Sequence, residues 1–137
     1  MLKIEPNKIK LSWDDVETVV DKLCHFIPRD VSIVDSVHGI SRGGLVPATL
    51  VSHRTGLPYV DVIGPNTLVI DDIADSGKTL EEYPGAWKGV LYYKVKTSSF
   101  TPNIWGELHE GEEWLIFPWE KYNSPSIQDY LNKEKNG

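Results

Sequence analysis

The sequence predicts an α/β fold in which a mostly parallel sheet is flanked by helices. Three apolar runs rich in β-branched or aromatic residues have the length of buried strands, at residues 31–37, 67–70 and 89–94. Helical patterns precede or separate them, at residues 12–27 and 45–55. Strands that alternate with helices are typical of a parallel sheet covered by helices.

Local signals define the helices. Ser12 can cap the first helix with Asp15 as its capping-box partner, and the helix is expected to end before Pro28. One face of it is apolar at helical spacing: Trp13, Val16, Val20, Leu23 and Ile27. The second helix accepts Pro47 in its first turn and stops at Gly56. A brief third helix is expected to reach about Tyr83, before Pro84 and Gly85.

The remaining strands carry weaker signals. Asp35 is an awkward residue inside the run at 31–37. Residues 59–63 predict a short strand, and the turn at 64–66 joins it to the run at 67–70, which favours an antiparallel hairpin or a sharp corner. Residues 113–117 predict an edge strand or a loop. The tryptophans near them either close the core or stack on a planar ligand.

Composition narrows the class of protein. A chain of 137 residues, 40% hydrophobic and 25% charged, predicts one globular domain over residues 1–137. A net charge of −6 disfavours nucleic acid or an anionic membrane as a partner. Cys24 is the only cysteine, and the chain has neither a long apolar run nor a signal-peptide pattern. A cytoplasmic protein is the expectation.

The most informative stretch is residues 67–79, TLVIDDIADSGKT. An apolar strand leads into Asp71, Asp72 and Asp75, and a Ser-Gly-Lys-Thr turn follows. Ligands bind at the carboxyl ends of strands in such sheets, and the first turn of a helix favours an anion. Carboxylates suit sugar hydroxyls or a divalent cation, whereas the turn suits a phosphate. The stretch therefore predicts a site for a sugar phosphate.

The residues of this stretch also match three other patterns. A Walker A loop needs a glycine where this chain has Asp72. The acidic DDxxD box of isoprenyl synthases belongs on a helix of a much larger, all-helical enzyme. An acidic loop without chemistry is the third, because Asp and Ser also serve as ordinary helix caps.

A second anion site is expected at residues 38–44, HGISRGG. Its three glycines permit positive φ and close approach of the backbone to a ligand, and Arg42 adds positive charge. A turn of this kind also occurs for geometry alone. Together the two turns suggest a ligand that is phosphorylated at two ends. For His38 a structural role is favoured, and Lys94 ends the strand at 89–94, where its ammonium can reach a carbonyl oxygen.

These motifs resemble the type I phosphoribosyltransferases, and most closely the short bacterial-type xanthine-guanine phosphoribosyltransferases. Residues 69–79 look like the family's signature for phosphoribosyl pyrophosphate, and residues 41–47 look like its pyrophosphate loop. The similarity extends to residues 12–14, Lys94 and residues 114–119. It implies transfer of 5-phosphoribosyl from phosphoribosyl pyrophosphate to guanine, xanthine or hypoxanthine in purine salvage, with Mg²⁺ bound.

The resemblance also implies roles for individual residues at the ribose end. Asp71 and Asp72 would hold the ribose hydroxyls and the metal, and Asp75 would be the general base near the attacking nitrogen. The 5′-phosphate would be bound by Ser76, Gly77, Lys78 and Thr79.

At the other end, Ser41, Arg42 and Gly43 would hold the pyrophosphate. Lys94 would contact the exocyclic oxygen of the purine, and Trp114 would stack on the purine ring. The Leu115 main chain would bind the edge of the purine.

This chain departs from the family pattern where the relatives carry a long flexible hood. Only the short turn at 64–66 stands in that place, and Lys78 replaces a glycine that relatives often have. An uncovered reaction centre admits water, so hydrolysis would compete with transfer. A partner subunit in a dimer or tetramer would cover the site, or the protein would be a non-catalytic regulator that binds phosphoribosyl pyrophosphate or nucleotide.

Overall fold

The computed structural model of this protein describes residues 1–5, 7–85 and 87–121. Three helices and seven strands follow one another in this part of the chain: β1 (Leu2–Glu5), β2 (Lys8–Lys10), α1 (Trp13–His25), β3 (Ser36–Gly39), α2 (Leu45–Thr55), β4 (Thr67–Ala74), α3 (Lys78–Glu82), β5 (Trp87–Tyr93), β6 (Ile104–Leu108) and β7 (Trp114–Ile116).

The main sheet has the order β3-β4-β5-β6, and all of its strands are parallel. Alternate residues of β4 face opposite sides, as expected for a strand covered on both faces. Leu68 and Ile70 join the core beneath α1 and α2, whereas Val69 joins a second cluster that includes Leu80 of α3. The predicted α/β fold with a mostly parallel sheet flanked by helices is confirmed.

A small second sheet has the order β1-β2-β7. Strand β1 pairs antiparallel with β2, and β7 pairs parallel with the other side of β2. Strand β7 lies at the edge of this sheet, which agrees with the edge strand expected at 113–117. The sequence analysis did not predict β1, β2 or β6.

The helix signals are confirmed more closely than the strand signals. Ser12 caps α1, and the reciprocal bonds with Asp15 form the expected capping box. Helix α2 has the predicted bounds and ends at Gly56, whose φ is 78°. Trp13 departs from the predicted apolar face of α1. Its side chain is 52% exposed and packs beside Trp119, with ring centroids 5.9 Å apart.

Two predicted strands differ from the structure, at residues 31–37 and at residues 59–63. Residues 31–33 form a turn, and β3 begins only at Ser36, because Asp35 points to solvent rather than into the sheet. Residues 59–63 form no strand beyond one parallel bridge between Tyr59 and Val37. Tyr59 and β4 flank opposite edges of β3 and run in the same direction, so the predicted hairpin does not exist. The short stretch at 61–66 makes the corner instead.

Candidate active site

Strand β4 carries the two leading acids beyond the end of its neighbour. The last pair between β3 and β4 is Gly39 with Ile70, whereas β4 continues beside β5 as far as Ala74. Asp71 and Asp72 therefore lie within the strand, not in a turn after Ile70 as the sequence analysis expected. The extension leaves their side chains next to the chain that leaves β3.

The first turn, Ser41–Gly44, folds against this extension. The Ile40 N–H donates to the Ile70 carbonyl at 2.9 Å, and the Gly44 N–H donates to the Ile40 carbonyl at 2.8 Å. A Cβ placed on Gly43 would lie 2.8 Å from Cγ of Asp72. The turn thus touches the acid directly. Ser41 and Arg42 are exposed, and the peptide bond between them is cis.

The glycines of this turn serve close approach rather than positive φ. Among the described glycines, positive φ occurs only at Gly56, Gly77 and Gly85. A Cβ on Gly44 would collide with the Ile70 carbonyl oxygen and lie 2.8 Å from Ile40 N. The expectation of positive φ at residues 39, 43 and 44 was therefore wrong. Close approach of this backbone to a ligand stays a prediction, since the close contacts seen here are with the protein's own strand β4.

The second turn, Asp75–Thr79, lies at the end of β4 and leads into α3. Gly77 has a φ of 84°, the left-handed conformation that favours glycine. The Lys78 N–H donates to Ser76 Oγ at 3.3 Å, Lys78 is exposed and Thr79 is half-buried. Since β3 and β4 are parallel neighbours, the two predicted anion turns lie at the same edge of the sheet.

The acid pair between the turns is electrostatically unfavourable. Asp71 is 8% exposed, and one of its carboxylate oxygens accepts from the Asp72 N–H at 2.9 Å. Burial raises the pKa of Asp72 well above its usual range, and the Asp71 charge, a hydrogen bond to Asp71 and the Glu120 charge raise it further. The Ile73 N–H donates to Asp72 Oδ1 at 2.8 Å and acts in the opposite sense.

Lys94 links the second turn to the predicted base contacts. It is 4% exposed, its Nζ lies 3.6 Å from Asp75 Oδ1, and it donates to the Glu113 carbonyl at 3.3 Å. Glu113 immediately precedes Trp114. Asp75, Lys94 and the start of β7 therefore form one connected group.

Strand β7 supplies Trp114 and Leu115. Trp114 is half-buried and its N–H donates to the Asn7 carbonyl at 2.7 Å, whereas the Leu115 side chain is buried. Leu115 pairs with Ile9 of β2, and β7 pairs with no second strand among the described residues.

His38 lies at the end of β3, beside the site. Its Nδ1 donates to the Val60 carbonyl at 2.8 Å, and its ring stacks on Tyr59. These contacts agree with the structural role that the sequence favours.

Sequence reasoning missed several residues that contact the site. Thr97 and Ser99 bond to Asp75 and Ser76. Glu120 lies near enough to Asp72 to raise its pKa. The run Thr97-Ser98-Ser99, between β5 and β6, is the one signal in the sequence, and it gives no indication of which turn it meets.

Asp71 and Asp72 are the residues best suited to a cation. Across the described ranges, no group of three or more acidic, histidine or cysteine side chains is arranged to hold a metal ion. Two carboxylates suffice for a magnesium ion that takes its other ligands from phosphate oxygens and water.

Among the residues that the structure describes, no helix is long and apolar enough to cross a membrane.

Comparisons with known proteins agree with this arrangement. A curated protein of Cereibacter sphaeroides named xanthine-guanine phosphoribosyltransferase is 31% identical over 115 residues, which cover 62% of this chain and 68% of that protein. One of Chromohalobacter salexigens with the same name is 26% identical over 154 residues, covering 90% of this chain and 93% of that protein. No protein-family model matches the chain.

The solved structures include the crystal structure of a purine phosphoribosyltransferase from Pyrococcus horikoshii. It superposes with a TM-score of 0.69 at 25% identity, over 89% of this chain and 99% of that one. The chain is thus similar to these enzymes both in sequence and in the shape of the fold. The chain belongs to the type I phosphoribosyltransferases, in the family of the xanthine-guanine enzymes.

Proposed function

We propose that this phosphoribosyltransferase transfers 5-phosphoribosyl from phosphoribosyl pyrophosphate to guanine, xanthine or hypoxanthine, giving the nucleoside monophosphate and pyrophosphate in purine salvage. One observation carries the proposal: the turns Ser41–Gly44 and Asp75–Thr79 share one edge of the sheet, with Asp71 and Asp72 between them. A pentose phosphorylated at two ends needs two anion sites separated by groups that bind hydroxyls.

The substrate's three parts are assigned to three groups of residues. The turn of Ser76, Gly77, Lys78 and Thr79 takes the 5′-phosphate through main-chain N–H groups and the lysine charge. Asp71 and Asp72 take the ribose hydroxyls. The pyrophosphate is bound by Ser41, Arg42 and Gly43, and the exposed Arg42 side chain is free to turn towards it.

The donor set at Asp71 and Asp72 fits Mg²⁺. Two adjacent carboxylates in a partly buried place repel one another, and a divalent cation offsets that repulsion. When bound, the ion supplies positive charge at the ribose hydroxyls and the leaving pyrophosphate. Depletion of Mg²⁺ is expected to abolish transfer.

The base site is assigned to Lys94, Trp114 and Leu115. A lysine ammonium donates and never accepts, so at the purine it selects an exocyclic oxygen over an amino group. Trp114 offers a ring for stacking, worth about 1–3 kcal/mol per base in nucleic-acid complexes. Among the described residues only β2 pairs with β7, and the Leu115 main chain on the other edge of β7 is assigned to the edge of the base.

Asp75 is assigned the removal of the proton from the attacking ring nitrogen. The bond between C1′ and that nitrogen forms as the bond from C1′ to pyrophosphate breaks, and the base proton passes to the Asp75 carboxylate. Arg42 and the N–H groups of the first turn stabilise the negative charge on the departing pyrophosphate.

An assay with purified protein, phosphoribosyl pyrophosphate and Mg²⁺ tests the proposal. Nucleoside monophosphate is expected with the three 6-oxopurines, and at least about tenfold less with adenine, whose 6-amino group cannot accept from Lys94. Because residues 61–66 provide no hood, release of pyrophosphate without nucleotide is measured in parallel. Failure to form nucleotide from any of the three bases would overturn the proposed function.

Asp75→Asn tests the role of the general base. Turnover is expected to fall by about 10²-fold or more, the contribution of a positioned general base, while the Kd for phosphoribosyl pyrophosphate changes little. Asp30→Asn, on an exposed turn, is the matched control. Turnover that survives Asp75→Asn would remove the residue from this role.

We also propose that residues 1–137 form one domain that acts in the cytoplasm as a homodimer or homotetramer. Since the hood is missing, a partner subunit is the available cover for the reaction centre. Light scattering after gel filtration checks the oligomeric state; a monomer with full transfer activity would contradict the cover.

A further inference from the structure

The segment Thr97–Ser99, between β5 and β6, holds the second turn through three hydroxyl or amide donors. Thr97 Oγ1 lies 2.7 Å from the Asp75 carbonyl oxygen and 2.9 Å from Asp75 Oδ1. The Ser99 N–H and Oγ both donate to the Ser76 carbonyl, at 2.9 and 3.1 Å. The carbonyls of Asp75 and Ser76 are thereby directed at this segment.

This geometry fixes the opposite side of the turn as well. In a trans peptide unit the C=O and the following N–H point in opposite directions. With the carbonyls of Asp75 and Ser76 turned towards residues 97–99, the N–H groups of Ser76 and Gly77 point away from that segment. Gly77 itself packs closely at the end of this segment: a Cβ on it would lie 2.8 Å from the backbone nitrogen of Phe100, the residue that follows Ser99.

The Asp75 carboxylate itself has two described partners on one oxygen. Lys94 Nζ lies 3.6 Å from Oδ1 and Thr97 Oγ1 lies 2.9 Å from it. If Lys94 turns to a purine oxygen as assigned above, that ion pair weakens during the reaction. Thr97 keeps its contact with the carboxylate, because its single hydroxyl proton is shared between Asp75 Oδ1 and the Asp75 carbonyl oxygen and so ties the side chain to the main chain of the same residue.

We propose that Thr97 is a positioning residue that holds the Asp75 carboxylate in its orientation for proton removal while Lys94 engages the base, an inference that rests on the proposed function. Thr97 does not touch the reacting atoms and acts through Asp75. A carboxylate displaced by about 1 Å from its reactive geometry loses about 10²-fold in rate.

Thr97→Val tests the proposal, since valine keeps the shape and removes the hydroxyl. We expect kcat to fall at least about tenfold with less than about threefold change in the KM for phosphoribosyl pyrophosphate, and Thr97→Ser to restore most of the loss. Thr97 is exposed, so the variant is expected to fold. Thr49→Val, which removes a hydroxyl bonded to the Leu45 carbonyl within α2, is the control.

A double-mutant cycle separates positioning from a general structural effect. If Thr97 acts through Asp75, then Thr97→Val in the Asp75→Asn background lowers kcat no further. Additive losses, or a Thr97→Val kcat within about twofold of wild type, would overturn the proposal.

A failure of the proposed function is distinguished from a failure of the positioning role by a separate measurement. Absence of transfer by the wild-type protein would overturn that function. The geometric part of the inference, that Thr97 orients the Asp75 carboxylate, is decided independently by the crystal structure of Thr97→Val: a rotated carboxylate supports it, and an unmoved carboxylate overturns it.

Discussion

The two anion turns lie side by side but are built in different ways. Ser41–Gly44 is shaped by the absence of side chains, because Gly43 and Gly44 lie against Asp72 and the Ile70 carbonyl. Asp75–Thr79 is shaped by bonds from outside, since Thr97 and Ser99 hold its carbonyls. The first turn should therefore respond to added volume, and the second to lost hydrogen bonds and backbone strain.

Gly44→Ala is expected to have the largest effect on stability. The residue has a φ of −83°, so alanine suffers no backbone strain, but its Cβ would meet backbone atoms of Ile70 and Ile40 that cannot move independently. Overpacking of this kind costs about 3 kcal/mol at the upper end of its range. Urea unfolding measures the loss, and transfer activity should disappear with it.

Gly64→Ala is the matched control for volume. A Cβ there meets only Thr67 Oγ1, at 3.6 Å, which is an ordinary contact. Equal stability of the two alanine variants would show that close packing does not shape the first turn.

Gly77→Ala sharpens the comparison on the second turn. Its φ of 84° costs alanine about 1–2 kcal/mol of strain. The new Cβ would also lie 2.8 Å from Phe100 N, so a total near 2 kcal/mol is expected.

Gly56→Ala isolates the strain alone. Gly56 has a similar φ of 78° with nothing within 4 Å of an added Cβ, so a loss of about 1 kcal/mol is expected from urea unfolding. If Gly77→Ala costs no more than Gly56→Ala, the contact with residues 98–100 does not constrain the turn.

Local sequence signals predicted those elements whose ends are determined by residues close together in the sequence. The Ser12 capping box, Pro47 and Gly56 define the ends of α1 and α2 through bonds or dihedral preferences of neighbouring residues. Strands β2 and β6 were missed because they depend on pairing with partners in other parts of the chain, β7 for β2 and β5 for β6. Strand β1 was missed although its partner, β2, is its neighbour in the sequence. Residues 59–63 were misread as a strand from their composition, whereas only Tyr59 forms a bridge, to Val37 of β3.

The site was predictable where charge and turn chemistry are adjacent in sequence, as in residues 71–79. The positions of Thr97 and Glu120 were not, because each reaches the acids only through the fold of the sheet. The sequence predicts a glycine-rich turn after β3. The reason for its glycines, close packing against β4, is apparent only once β3 and β4 are known to be neighbours in the sheet.

Asp72 lies where the two turns meet, and its charge opposes folding. A carboxyl whose pKa is raised in the folded state binds more protons than in the unfolded state between its usual pKa of 3.8 and the raised value. Stability therefore falls as pH rises through that window and stays lower above it. Asparagine keeps the shape and can accept the Ile73 N–H bond without the charge.

Asp72→Asn is accordingly expected to stabilise the metal-free protein at pH 8 by about 1 kcal/mol, and to lose this advantage below pH 4. Thermal unfolding in EDTA across this range measures it. Asp30→Asn gives the opposite sign, because the bonds from Ser32 lower the pKa of Asp30, so its carboxylate favours folding at neutral pH. If Asp72→Asn destabilised the protein at pH 8, the prediction would be wrong. The hydrogen bonds to the Asp72 carboxylate would then outweigh its burial and the repulsion by Asp71, and the charge of Asp72 would stabilise the place where the two turns meet.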